Sequence, residues 1–432
     1  MEWRNWAGNQ QARPQAVLHP RDTDEVAQVV KRAATEGRRV KAVGAGHSFT
    51  AAAVTDGVLL DLDRMAGVVA SDLDTGLVTL HAGTPLHQLN LELARRGLAM
   101  SNLGDIDRQS IAGATSTSTH GTGIALGGLA TQIRALELVL ADGSVVTCSA
   151  DERPELFAVA RVGIGALGIV TAVTLQCEPS FTLVADERPM PLAQVLDELD
   201  DIVESNEHFE FYWFPHTELA LTKRNNRLRS GEPAAPIGRV KGWVDDELLA
   251  NTVFNLTCKL AARRPTLIPR LNRTAAKLMT ARRYTAPSYE VFVSPRRVRF
   301  VEMEYSLPRA AFKDGLAAIR AVIEREQLLV SFPIEARWVA PDDIPLSTAY
   351  GEERCYLAIH MFRGEPFERF FRAVEAEMRQ LGGRPHWGKM HWRTAEDLRP
   401  VYPKFDDFVA VRDSVDPDRV FGNPYLETVL GG

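Results

Sequence analysis

The stretch NLGDIDRQSIAGATSTSTHGTG, residues 102–123, constrains this chain most. It carries neither a helical nor a strand period, and Gly, Ser and Thr dominate it. So long an aperiodic segment is uncommon inside a compact domain unless it binds a ligand. Its second half, STSTHGTG, sets four consecutive hydroxyls before His120, Gly121 and Gly123, with no charged side chain. A loop of similar character, VGAGHSFT at 43–50, follows a predicted strand. There Gly44 and Gly46 let main-chain N–H groups turn toward an anion, and Ser48 adds a hydroxyl donor. Phe49 stands where the last glycine of a dinucleotide fingerprint would be, so a Rossmann turn is not indicated. Either loop alone reads as a tight turn. Together they favour a diphosphate held by hydrogen bonds rather than by Lys or Arg clusters.

The surrounding elements place these loops in an α+β chain. RDTDEVAQVVKRAATEG predicts a helix capped by Asp22, with Glu25 completing a capping box and Gly37 ending it. Strands follow at 38–43 and 58–62, then a hairpin turning at Asp74-Thr75-Gly76, a helix entered through Thr84 and Pro85, and an Asp142-Gly143 hairpin. The sequence Gly163-Ile164-Gly165-Ala166-Leu167-Gly168 follows a predicted helix and precedes a strand, the reverse of the Rossmann order. It reads as close helix–strand packing, as a backbone approach to a cofactor, or as both.

From about residue 180, strands EFYWFP, RRVRFVEMEYSL, VSFPIEARWV and ERCYLAIHMF alternate with helices at 308–325 and 365–381, which predicts an antiparallel sheet covered on one face. Glu335 and Arg337 project from one face of their strand, roughly 6–7 Å apart, with Phe332, Ile334, Ala336 and Trp338 opposite. Such a pair reads equally well as a solvated sheet face. His360 is presented to the same side, and RPHWGKMHW, around Lys389, has the mixture of a pocket wall. No metal-ligand spacing is present.

In this order, VGAGHS, NLGDID with IAGATSTSTHGTG, GIGALGIVTAVTL, EAR and HWGK resemble the vanillyl-alcohol oxidase type of flavoprotein, in its aldonolactone and alditol oxidoreductase branch. The resemblance spans nearly the whole chain. It implies a split FAD-binding domain, residues 1–178 and 384–432, with a substrate-binding cap domain of antiparallel sheet and helices, 179–383, inserted between. It implies FAD attached covalently to His47, a diphosphate cradle of Val43, Gly44, Ala45, Gly46, Ser48, Gly113, Ser116, Thr119, His120, Gly121 and Gly123, and an adenosine end at Gly165, Gly168 and Ile169. Gly104 and Asp105 would lie at the flavin edge beside Lys389, with glycine at 104 giving oxygen access. The implied reaction is hydride transfer from a sugar C–H to flavin N5. Arg337 would stabilise charge on the reduced ring, Glu335 accept from sugar hydroxyls, Lys389 aid removal of the hydroxyl proton and His360 line the pocket.

Three readings follow: an aldonolactone oxidase or dehydrogenase, an alditol or free-sugar oxidase on the same scaffold, and a flavin-binding protein without catalysis. The simultaneous presence of Glu335, Arg337 and Lys389 disfavours the third. A net charge of −6 offers no global attraction for nucleic acid. Four scattered cysteines and an N-terminus without an apolar leader fit a reducing cytoplasm. Residues 259–283 stand apart: eight Lys or Arg and no acid, with Leu260, Leu271, Leu278 and Met279 among them. They read as a solvated surface broken by Pro265 and Pro269, or as a peripheral contact with anionic lipid or an acidic partner.

Overall fold

The helix at Thr23–Thr35 starts where its cap predicts, with the Asp22 carboxylate accepting from the Glu25 N–H. Glu25 reaches back one residue further than a capping box requires, to the Arg21 N–H. Val26, Val30 and Ala33 form its buried face. In the computed structural model, which describes residues 2–432, this helix packs beside a parallel three-stranded sheet ordered Ala16–Leu18, Val58–Asp61, Val40–Val43. The two hairpins pair as expected and complete an antiparallel five-stranded sheet around the central strand Ile169–Gln176.

Residues 102–123 are less irregular than their composition predicts. Ile111–Ser116 is a short helix, capped by the Ser110 hydroxyl accepting from the Gly113 N–H. Six residues are too few to display a period, which is why the sequence pattern hides it. The helix predicted to begin at Pro85 starts at Leu86, because the Thr84 hydroxyl donates to the His81 carbonyl instead of capping.

The remaining core is an eight-stranded, wholly antiparallel sheet, ordered Arg282–Pro287, Thr182–Pro191, Leu219–Arg227, His208–Trp213, Ile334–Val339, Arg354–Phe362, Phe300–Pro308, Arg384–Pro385. Thr182–Pro191, Leu219–Arg227 and Arg282–Pro287 escape the sequence reading, because their charged residues interrupt the apolar alternation. Arg384–Pro385, at the start of RPHWGKMHW, is an edge strand paired with Tyr305 and Ser306. One face of this sheet packs on helices Phe312–Arg325 and Glu368–Gln380, burying Phe211, Ile334, Ala336, Trp338 and Leu357 with Leu316, Phe370 and Phe371. The other face meets the loops of the first half.

Candidate functional site

On that second face, one residue per strand lines up across the sheet in alternating charge. Arg282 stands opposite Glu187, Glu187 opposite Lys223, Lys223 opposite Glu210, and Glu210 opposite Arg337. Directly opposed side chains of opposite sign are the stabilising arrangement in a sheet. Arg337 ends the row in a cavity of about 760 Å³ between sheet and loops. Its Nε donates to Glu210 Oε2 at 2.9 Å and touches Glu335, and its guanidinium stands 3.8 Å from Asp105. Asp105 is also paired with Arg296. Both ends of this pairing are buried, Glu335 at 6% and Arg337 at 7% exposure, so the solvated-face reading fails: the loop carrying Asp105 covers what the strand pattern leaves open.

The carboxylates of this cavity are held in different protonation ranges. Burial opposes the ionised form of Asp105, but Arg296 and Arg337 outweigh it and hold the group well below the ordinary range. Glu302 is likewise pulled down to about 2, chiefly by Lys389 and His360 acting against burial. Glu335 goes the other way. Burial, reinforced by Asp105 and Glu210, pushes it up to about 7 despite Arg337. Its Oε1 is buried and touches Arg337 without hydrogen-bond geometry, which leaves that oxygen without a donor. A buried acceptor left unpaired is costly unless a ligand supplies the donor. Lys389 is paired with Glu302, and with Glu304 nearby its ammonium is held above the ordinary range although burial opposes it. His360 turns Nδ1 toward the Pro333 carbonyl at 3.2 Å and Nε2 toward Glu302 at 3.4 Å.

A second cavity, about 1050 Å³, adjoins the first and shares His47, Ser48, Gln109 and Thr117 with it. Val43, Gly44, Ala45, Gly46, Gly113, Ser116, Gly165 and Gly168 line it. The two donor-rich loops touch there: a Cβ on Gly44 would stand 2.1 Å from Ser110 Oγ. Among the described lining residues the one cation is Lys41, whose amine is already committed to the carbonyls of Gly165 at 2.8 Å and Phe421 at 3.1 Å. Burial lowers Lys41 to about 7. The remaining hydroxyls and exposed main chain suit a polar dinucleotide bound largely through neutral donors, so these residues fit FAD. His47, stacked on Trp6 at the junction of the two cavities, is kept an uncharged imidazole by burial with help from Lys389, its value lowered to about 4.

Gly104, Asp105, Thr119, His120, Glu335, Arg337, His360 and Lys389 are thus brought together around the first cavity. Three expected cofactor contacts are not at either cavity wall. Gly121 is a packing glycine, since a Cβ would meet Asn102 Oδ1 at 2.3 Å. Gly123, at φ +140°, donates its N–H to the Trp338 carbonyl and ties the loop to the sheet. The Ile169 side chain lies in the apolar core with Val26 and Val30. Conversely, Glu210, Glu302, Glu304 and Arg296 went unrecognised in the sequence. The alternation in VEMEYS carries a signal for Glu302 and Glu304, two acids two apart on one strand. Glu304 accepts from His120 and its range is held well down by that neighbour against burial.

Residues 173–429 match the D-arabinono-1,4-lactone oxidase family and residues 14–149 the FAD binding domain family. The chain is 45% identical over 99% of both lengths to an L-gulono-1,4-lactone dehydrogenase of Mycobacterium tuberculosis. It is 34% identical to the L-gulonolactone oxidase of Mus musculus, over 100% of this chain and 98% of the relative. Cholesterol oxidase from Brevibacterium sterolicum shares the fold at a TM-score of 0.83 over 99% of this chain and 96% of its own, with 18% identity. Matched along its whole length by these relatives, this chain belongs to the D-arabinono-1,4-lactone oxidase family of FAD-dependent aldonolactone oxidoreductases.

Proposed function

We propose that the protein oxidises a CH–OH carbon of a sugar 1,4-lactone of the L-gulono or D-arabinono type, with FAD carried on His47 and oxygen as the final acceptor. Residues 1–178 and 384–432 would form the FAD domain and 179–383 the cap. The observation that carries this reading is Glu335 Oε1, in ion-pair contact with Arg337 but without a hydrogen bond, in a cavity lined with both charges. FAD, when bound, supplies the two-electron acceptor for the hydride. Glu335 Oε1 accepts the hydroxyl proton, because a carboxylate held near neutrality is matched to that task. Lys389, expected to aid this proton removal, is better suited as a fixed cation: its ammonium is held protonated by Glu302 and Glu304. Arg337 orients substrate oxygen and balances developing negative charge, with Glu210 fixing its Nε. Anaerobic bleaching of the flavin by a panel of aldonolactones and alditols tests the substrate class. Bleaching by alditols alone would sink the lactone assignment.

His47 at the junction of the cavities supports the tether. Acid precipitation should leave the yellow colour in the pellet of the wild type and release it to the supernatant in His47→Ala. Colour in the wild-type supernatant would reduce His47 to a noncovalent contact.

The name of the Mycobacterium tuberculosis relative favours a second reading, a dehydrogenase using another acceptor. Gly104 discriminates the two. A Cβ there would stand 3.2 Å from the His120 carbonyl and 3.4 Å from Thr119 Cγ2, so alanine fits with small shifts. Gly104→Ala is expected to lower oxygen turnover at least about tenfold, an added barrier of about 1.4 kcal/mol, while dye-coupled turnover persists. Unchanged oxygen turnover would overturn the gate.

A further inference from the structure

The helical run Trp243–Val253 continues into the helix Phe254–Arg263 and presents apolar side chains outward. Leu249, Val253, Leu256 and Leu260 are 51%, 44%, 61% and 44% exposed. Their spacing of four, three and four residues sets them in one stripe along the helix. Trp243 at its start is exposed as well, as is Leu278 at the end of the neighbouring helix Ile268–Leu278. A water-soluble surface helix ordinarily confines its apolar residues to a stripe turned to the core. Here Phe254, Cys258 and Ala261 make that inward face, and the exposed stripe comes in addition to it.

The unpaired charges around this stripe are of one sign, because Asp246 and Glu247 at its start are committed to Arg282 and Arg297. Lys259 and Arg263 flank it on the same helix, and Arg264, Arg270, Arg273 and Lys277 follow on the turn and the next helix, all exposed. Among the described residues none of these six has a carboxylate within ion-pair distance. Arg282 and Arg283, by contrast, are paired with Glu187 and Glu232. A chain of net charge −6 therefore concentrates unpartnered cations beside its most exposed apolar stripe. No described helix is long and apolar enough to cross a membrane.

We infer that this surface, residues 243–278, docks the protein on an anionic lipid bilayer, the leucines and Trp243 entering the interface and the six cations meeting lipid phosphates. The surface adjoins the substrate cavity. Asn251 Nδ2 donates to the Pro295 carbonyl at 2.9 Å and its Oδ1 accepts from the Arg297 N–H at 2.8 Å, bracketing Arg296 of the cavity wall.

The test is sedimentation of the full-length flavoprotein with phosphatidylglycerol-containing vesicles and with pure phosphatidylcholine vesicles. Association with the anionic vesicles at low salt, weakening as salt rises, is expected. Leu256→Glu with Leu260→Glu, and separately Lys259→Glu with Arg263→Glu, should each reduce it at least about tenfold. None of these residues touches the cavities, so turnover in lipid-free buffer serves as the control for folding. Absence of anionic-vesicle binding at low salt, or equal binding by both double variants, overturns the proposal. Two results would reassign the surface. A wild-type dimer dissociated by Leu256→Glu makes it a self-association face, and binding to polyglutamate without vesicle binding makes it a site for an acidic protein.

Discussion

Glu335→Gln is expected to lower kcat/KM about 10²–10⁴-fold, the range lost when a positioned proton acceptor is removed. The wild-type rate should rise with pH to a plateau above about 7, as the Glu335 carboxyl ionises, and the variant should lack that inflection. Stability separates this loss from unfolding. The folded protein holds the Glu335 proton more tightly than the unfolded chain, whose carboxyl sits near the ordinary 4.5. Between about 4.5 and 7 the native state therefore binds more protons, and wild-type stability falls as pH rises through that window. The amide carries no charge to desolvate, so Glu335→Gln should unfold at a higher denaturant midpoint than wild type at pH 8. The gain is on the order of 1–3 kcal/mol, fading toward pH 4. A variant that is inactive and less stable at pH 8 would refute the assignment.

Arg337→Lys is the second large effect. One guanidinium meets Glu335, Glu210 and Asp105 together, which a single ammonium on a longer, flexible stem cannot do. Turnover should fall about 10²–10³-fold, the loss typical of a misplaced charge-stabilising donor, with flavin content unchanged. Arg337→Ala goes further by leaving buried carboxylates uncompensated, at a cost of about 3–5 kcal/mol. Because Arg337 is what restrains the upward push on Glu335, the pH inflection should move above 7 in the alanine variant. A pH profile that stays put would uncouple the two residues.

Much of this was legible along the chain. Asp22 and Gly37 bound a helix, Asp142-Gly143 turns a hairpin, and IEARWV alternates so strictly that Glu335 and Arg337 had to share a face. The two uncharged loops at 43–50 and 116–123 announce a polar ligand through their side-chain chemistry alone. These are local properties: the backbone period and the donor inventory are written in consecutive residues. What occupies the far side of that face is not local. Glu210 reaches Arg337, and Glu302 reaches Lys389, only through cross-strand register and the crossing of a distant loop. Gly121 and Ile169 likewise resemble ligand contacts until packing turns them elsewhere. By itself the sequence determined which side chains point together and which loops are rich in donors. Only the tertiary structure decided that Glu335 and Arg337 are dry, because burial depends on what a remote segment places over them, and burial is what moves the Glu335 carboxyl toward neutrality.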